Sequence, residues 1–264
     1  MYYFCTLHYI SYMFNQLKIW KRQGKQYITD VTTTDVPGVF RGRPEILGEP
    51  KDDAALRGLC PTGAIGFSPL SIDMGKCMFC GECAFAAPDL IRFSKNYKMG
   101  SNDRQKLIIN SSVRPEDDLI NPDAIRAEIR RLFGRSLKLR QVSAGGDGSS
   151  ELELNATGNV NFDIGRFGID FVASPRHADG IVLTGPISRN MAGPFKLAYE
   201  AVAAPRLLIL AGTDAISGGL LADSQDVDRS VLDGLHVDLY VPGNPPHPLT
   251  FVNAVLGLLG RKNR

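Results

Sequence analysis

No apolar run in this chain is long enough to cross a bilayer. Met1–Phe14 is studded with polar residues, and Leu249–Gly260 stops short of the roughly 18–20 residues that a hydrocarbon core demands, so no span is expected. Met1–Phe14 also lacks a positive region ahead of it and a small-x-small site behind it, the marks of a secretory signal. An excess of one charge is missing too. Thirty Lys plus Arg stand against 28 Asp plus Glu, a balance that disfavours a chain whose main business is gripping nucleic acid by its phosphates. Cysteine is scarce and odd in number, five in 264 residues, which argues against a disulfide framework. What is there, 44% hydrophobic and 22% charged residues, describes a globular chain of one or two domains able to bury a core.

Composition divides the chain into four parts. Residues 1–36 form an N-terminal arm, in which Met13–Tyr27 mixes Phe14, Leu17, Ile19 and Trp20 with Lys18, Lys21, Arg22 and Lys25. That mixture suits either a basic helix against a membrane surface or partner, or a solvated arm with a few packing anchors. Residues 37–97 are short-turned, rich in Gly and Pro, and hold Cys60, Cys77, Cys80 and Cys83. Residues 98–136 read as a connector ending in a helix, with Asn121 as N-cap, Pro122 at the first helical position and Ile125, Ile129, Leu132 and Phe133 at helical spacing. Arg126, Arg130, Arg131 and Arg135 lie largely off that stripe and read as a solvated or partner-facing surface.

Residues 137–264 alternate β-branched runs with helical pattern: strands at Leu137–Val142, Phe167–Val172, Gly180–Thr184, Arg206–Leu210 and Val237–Val241, helices over 189–203 and 249–260. Strands separated by helices require right-handed crossovers and predict a doubly wound, mostly parallel sheet with its working loops at the strand C-terminal ends. The Gly-rich loops 144–148 and 217–219 fit neither G-x-G-x-x-G opening a helix nor the Walker pattern, so no nucleotide site is expected.

Cys77-Met-Phe-Cys80-Gly-Glu-Cys83 is C-x2-C-x2-C, the spacing by which three thiolates wrap one iron–sulfur cube. In two-cluster ferredoxins the fourth thiolate comes from a Cys-Pro at the end of the other motif, and Cys60-Pro61 stands in that place. The other cluster's ligand positions, counted along the pattern, fall on Pro50, Asp53, Leu56 and Ala87, none of them cysteine. One ligand set is complete and the other wholly absent. A structural zinc site is the alternative, although this triplet is poorly shaped for two chelating pairs. Cys5 stands alone and is assigned no role.

With Phe40-Arg-Gly-Arg-Pro-Glu-Ile, Cys60-Pro-Thr-Gly-Ala-Ile and Ile72-Asp-Met-Gly-Lys-Cys77, residues 37–95 resemble the two-cluster ferredoxin subunit of respiratory complex I and of membrane-bound group 4 nickel-iron hydrogenases. From about Leu137 to Leu259, six motifs in order resemble the small subunit of the same enzymes, the 20-kDa-type subunit of complex I. They are Ala144–Glu153, Arg166-Phe-Gly-Ile, Ser174–Asp179, Thr184-Gly-Pro, Gly212–Gly219 and Val241–Pro248. The resemblance implies an α/β chain in which a ferredoxin-like α+β iron–sulfur domain precedes the doubly wound sheet. It also implies four cysteines holding a proximal cluster in the second half, and here those positions are Asp147, Ser150, Asp214 and Asn244. Carboxylate, hydroxyl and amide oxygens replace thiolate poorly around such a cube, so no cluster is expected there. The four residues are left either to a hard cation or water, or simply to hydrogen bonds across the loops.

Glu151 matches the family's acid beside the cluster loop, where a proton-relay role is implied. Its plainer reading is a carboxylate at a helix start. Arg176 and His177 fall in a loop that the resemblance sets near a large-subunit interface, and His247 sits between two prolines that fix a turn. The expectation is therefore an electron-transfer subunit with one 4Fe-4S cluster on Cys60, Cys77, Cys80 and Cys83 and with no catalytic residue of its own. It would be peripheral on the cytoplasmic side of the membrane, with a hydrogenase- or complex I-like large subunit and membrane subunits as partners. A scaffold with a structural cluster and a carrier with a flavin at the sheet's switch point are the other readings.

Overall fold

The β-branched runs of the second half pair into a single all-parallel sheet in the computed structural model, which describes residues 2–24, 26–50 and 54–261, and side chains from Met13 onward. In chain order the protein begins with helix α1 (Tyr2–Gln23), then β1 (Pro44–Ile46), β2 (Ile65–Gly66), β3 (Ser71–Asp73), α2 (Glu82–Ala86), β4 (Ile91–Phe93) and β5 (Ile108–Asn110). There follow α3 (Ala127–Phe133), β6 (Leu137–Ser143), α4 (Ser149–Ala156), β7 (Ile169–Phe171), β8 (Gly180–Thr184), α5 (Arg189–Ala201), β9 (Leu207–Ala211), α6 (Thr213–Ser217), β10 (Leu239–Val241) and α7 (Pro248–Leu258).

The large sheet runs β10-β9-β8-β6-β7. This is a doubly wound order, all strands parallel, in which the winding runs outward in opposite directions on either side of the β6–β8 junction. Strands β8 and β9 are buried along their whole length, as expected when helices cover both faces. The loops after β6, β8, β9 and β10 share one edge, which carries the segments containing Asp147, Ser150, Asp214 and Asn244. Beside the expected helices, two short ones fill other connections, α4 of eight residues and α6 of five.

The first half builds two small antiparallel ladders, β1-β4 and β2-β3-β5. Residues 98–120, which read as a connector, supply β5, and Ile109 pairs with Ile72 inside that ladder. The helix expected from Asn121 is interrupted. Asn121 accepts from the Asp123 N–H and caps a single 3-10 turn, Pro122–Ala124, after which Ile125 is extended and α3 starts. The cause is long-range: Arg126, non-helical at ψ 123, reaches the buried Asp238 at 2.8 Å and the Arg206 carbonyl at 2.7 Å.

The two halves share one core. Leu70, Ile72, Met74 and Ile109 of the first half join Ile181, Leu183, Leu208 and Leu210 on one face of the large sheet. The opposite face packs Val182 and Ile209 under Phe251 and Val255 of α7 and Ile129 of α3. The described side chains of α1, from Met13 onward, join neither cluster: Trp20 is 73% exposed, with Phe14, Leu17 and Ile19 also open to solvent. No helix among the described residues is long and apolar enough to cross a membrane.

Candidate functional site

Cys60, Cys77, Cys80 and Cys83 line one small pocket of about 20 Å³. Cys77 and Cys80 arrive on the loop between β3 and α2, Cys83 sits in the first turn of α2, and Cys60 comes from the turn before β2. That loop is anchored at its start by Asp73. The Asp73 carbonyl accepts from the Lys76 and Cys77 N–H groups at 3.0 and 2.9 Å, and its carboxylate accepts from the Gly75 N–H at 2.9 Å. Gly75 has to be glycine, because a Cβ there would lie 2.8 Å from both Arg104 Cζ and Ile216 Cγ2. Phe79 and Gly81, at φ 54 and 87, then turn the chain around the pocket, and Arg41 holds the turn by donating to the Phe79 carbonyl at 3.2 Å.

The sulfurs sit among apolar side chains and backbone donors. Leu59, Ala64, Ile65 and Ile72 complete the wall. The Ala64 N–H donates to Cys60 Sγ and the Phe79 N–H to Cys77 Sγ, both at 3.3 Å. Burial pushes the Cys77 thiol up to about 12 and the Cys83 thiol to about 11, since an isolated thiolate is costly away from water. Burial also works against ionisation of Cys60, but the Thr62 hydroxyl and nearby backbone N–H groups outweigh it and bring that thiol below its ordinary value. Cys80 is exposed. Among the described residues no three His, Cys, Asp or Glu side chains converge as closely as a single metal ion requires.

The second half presses on this loop from behind. Thr213 donates its hydroxyl to the Cys77 carbonyl at 2.8 Å, and Asn244 donates from Nδ2 to the Met78 sulfur at 3.2 Å. Asp147 and Glu151 both raise the pKa of the half-buried Asp214, after burial itself, while Arg229 opposes them. Asp147 is engaged by Ser149, whose hydroxyl and N–H lower its pKa. Ser150 is buried, and Glu151 accepts from the Thr184 hydroxyl at 2.6 Å. So the strand-end loops bring together an acidic trio and, beside it, Asn244 facing the cysteine loop.

His247 has a local role. Its Nδ1 accepts from the Leu249 N–H at 3.2 Å and caps α7, with the rings of Phe40 and Phe162 against it, and burial lowers its pKa. Arg176 and His177 are exposed in a 3-10 turn, away from the cysteine pocket's lining. The side chain of Cys5 and residue Asp53 lie outside the described residues. Thr213, Met78 and Arg104 carried no sequence signal as site residues, because their contacts cross from one half to the other or from one loop to a distant one.

A doubly wound parallel sheet whose strand-end loops hold a loop of clustered cysteines places the chain in the α/β class. The profile of the family described as NADH ubiquinone oxidoreductase, 20 Kd subunit, matches residues 148–258. The chain is 36% identical over 145 residues to an NADH-quinone oxidoreductase subunit of Heliobacterium modesticaldum, covering 54% of this chain and 82% of the relative. It therefore belongs to that family. It is also 39% identical to the corresponding NADH-quinone oxidoreductase subunit of Geotalea daltonii, covering 40% of this chain and 62% of that protein. Against formate hydrogenlyase subunit 7 of Escherichia coli the identity is 35%, covering 53% of this chain and 56% of that protein. The chain thus spans less than two thirds of the length of these last two relatives.

Proposed function

We propose that this chain is an iron–sulfur electron-transfer subunit of a membrane-associated oxidoreductase complex related to complex I and to the group 4 nickel-iron hydrogenases. In this reading residues 37–97 are a ferredoxin-like domain fused to the small subunit, and one 4Fe-4S cluster is held by Cys60, Cys77, Cys80 and Cys83. The gathering of those four thiols around one apolar pocket carries the reading. The donor set fits the group. Thiolate is the ligand of an iron–sulfur cube, the spacing is that of such cubes, and two sulfurs already accept backbone N–H groups. A zinc ion prefers two chelating cysteine pairs, a shape for which the C-x2-C-x2-C triplet is poorly suited.

When bound, the cluster supplies one-electron chemistry. The chain's own residues hold it, keep water from Cys77 and Cys83, and leave Cys80 at the surface within reach of an exchange partner. The second half is proposed to carry no cluster, because Asp147, Ser150, Asp214 and Asn244 offer only hard oxygen or amide donors. The partners would be a large subunit and membrane subunits, and the chain would lie peripherally on the cytoplasmic side. A second reading, a scaffold with a structural cluster, is favoured by the core that fuses the two halves.

Anaerobic purification with iron and sulfide counting, and EPR of the dithionite-reduced protein, tests the first reading. About four iron and four sulfide per chain with one spectrum supports it. Near zero iron, or one zinc, overturns it, and about eight iron overturns the single-cluster part. A cluster that bleaches only on destruction during redox titration supports the scaffold instead.

A further inference from the structure

We propose that Thr213 and Asn244 are positioning residues for the Cys77–Cys80 loop and that they tune the reduction potential of the group held there. This rests on the cluster reading above and goes beyond it. The strand-end loops that the family resemblance assigns to a lost ligand set instead hold the cysteine loop of the other half, through its Cys77 carbonyl and Met78 sulfur.

The geometry is specific. Thr213 is fully buried, so no water competes for its hydroxyl. The Gly243 carbonyl lies 3.2 Å from that hydroxyl but already accepts from the Thr213 backbone N–H at 2.8 Å. The closer acceptor, at 2.8 Å, is the carbonyl of Cys77. That carbonyl belongs to a cysteine of the proposed ligand set, and a donor upon it withdraws negative potential from the pocket. Donors and dipoles of this kind make added negative charge easier to hold and raise a cluster's potential. Asn244 acts on the next residue: its amide donates to the thioether of Met78, a weak acceptor, and Met78 itself lines the pocket. Two successive residues of the cysteine loop are thereby held from 136 and 166 positions away in the sequence.

The experiment compares the whole chain, purified anaerobically, with Thr213→Val, Thr213→Ser and Asn244→Ala, reading iron content, reduced-state EPR and the midpoint potential. Thr213→Val keeps the shape of the side chain and removes only the donor. Its potential falls, by an amount approaching tenfold in the one-electron equilibrium, about 59 mV. Thr213→Ser restores the wild-type value, and Asn244→Ala broadens the EPR line with a smaller fall. If Thr213→Val loses iron while Thr213→Ser keeps it, the hydroxyl's hold on the loop is likewise supported. An unchanged potential in Thr213→Val, or equal effects of Val and Ser, overturns the proposal. If the wild-type chain itself binds no iron, the cluster reading has failed instead, and the two failures are told apart by that first measurement.

Discussion

Arg104 grips Asp73 with both terminal nitrogens, at 2.8 and 2.6 Å, and so ties the segment before β5 to the first residue of the turn that delivers Cys77. Both side chains are largely shielded, at 28% and 15% exposure, and the pairing is a two-bond fork that lysine cannot reproduce. Arg104→Met leaves a partly buried carboxylate without its partner. The expected loss is about 1.5–3 kcal/mol of unfolding free energy in urea titrations, with Arg104→Lys intermediate. Equal stability of all three proteins would show that Asp73 is held by the backbone alone.

The four thiols are predicted to act as one set. Alanine at Cys60, Cys77, Cys80 or Cys83 should each take iron from about four per chain to near zero, or to a three-iron remnant recognisable by EPR. Cys5→Ala should leave the count unchanged. Retention of a full complement by Cys60→Ala would assign the fourth ligand elsewhere.

Much of this was written in local sequence. The strand at Gly180–Thr184 stands where its β-branched run predicts, because a strand buried on both faces needs an unbroken apolar stretch. The other sheet strands differ by one or two residues at their ends, and in β7 the cause is local, a 3-10 turn at Ile164–Phe167 followed by a left-handed Gly168. Three of the four pocket cysteines follow from their spacing, and Cys60 only from its neighbouring proline. The interrupted helix at 121–133 was not legible, since Arg126 leaves it to meet Asp238, 112 residues further on. Nor was the hold of Thr213 and Asn244 on the cysteine loop, for no local pattern announces a contact that the fold alone creates.

Asp214 gives the protein an inverted pH response. Burial, and then the charges of Asp147 and Glu151, raise its carboxyl above the ordinary value of 3.8, with Arg229 only partly opposing them. For an acid with a raised folded-state pKa, the contribution to stability is full below the unfolded value and is lost as pH rises through the folded one. Asp214→Asn, which is neutral throughout, should therefore be more stable than wild type at pH 7, with the gap closing as pH falls toward 4. Urea midpoints across that range decide it; a gap that widens in acid would mean the carboxylate is favoured by a partner.

His247 responds in the opposite sense. Burial lowers its pKa below 6.5, so the neutral ring is the folded form, and Nδ1 must stay unprotonated to cap α7. Stability should fall as pH drops through the ordinary histidine value, where the unfolded chain takes up the proton first. His247→Ala loses the cap and the ring contacts with Phe40 and Phe162, costing about 0.5–2 kcal/mol for the cap alone. His247→Asn keeps a capping oxygen, recovers part of that loss, and abolishes the dependence between pH 5 and 7.

Gly100 is one of the points where the first half packs tightly against α7. A Cβ at this position would lie 2.3 Å from Ala254 Cβ and 3.5 Å from the Tyr240 carbonyl, and the adjacent Ser101 exchanges backbone hydrogen bonds with Tyr240 at 3.0 and 2.8 Å. The obstacle is packed side chain and backbone on a buried helix face, with nothing flexible to swing aside. Gly100→Ala should therefore cost at least about 1–3 kcal/mol, the usual range for overpacking, and Gly100→Val more. Ala254→Gly vacates the contested space, so the double variant Gly100→Ala/Ala254→Gly should regain part of the loss beyond additivity. A double variant no better than the sum of its parts would show that the halves are not locked through this contact.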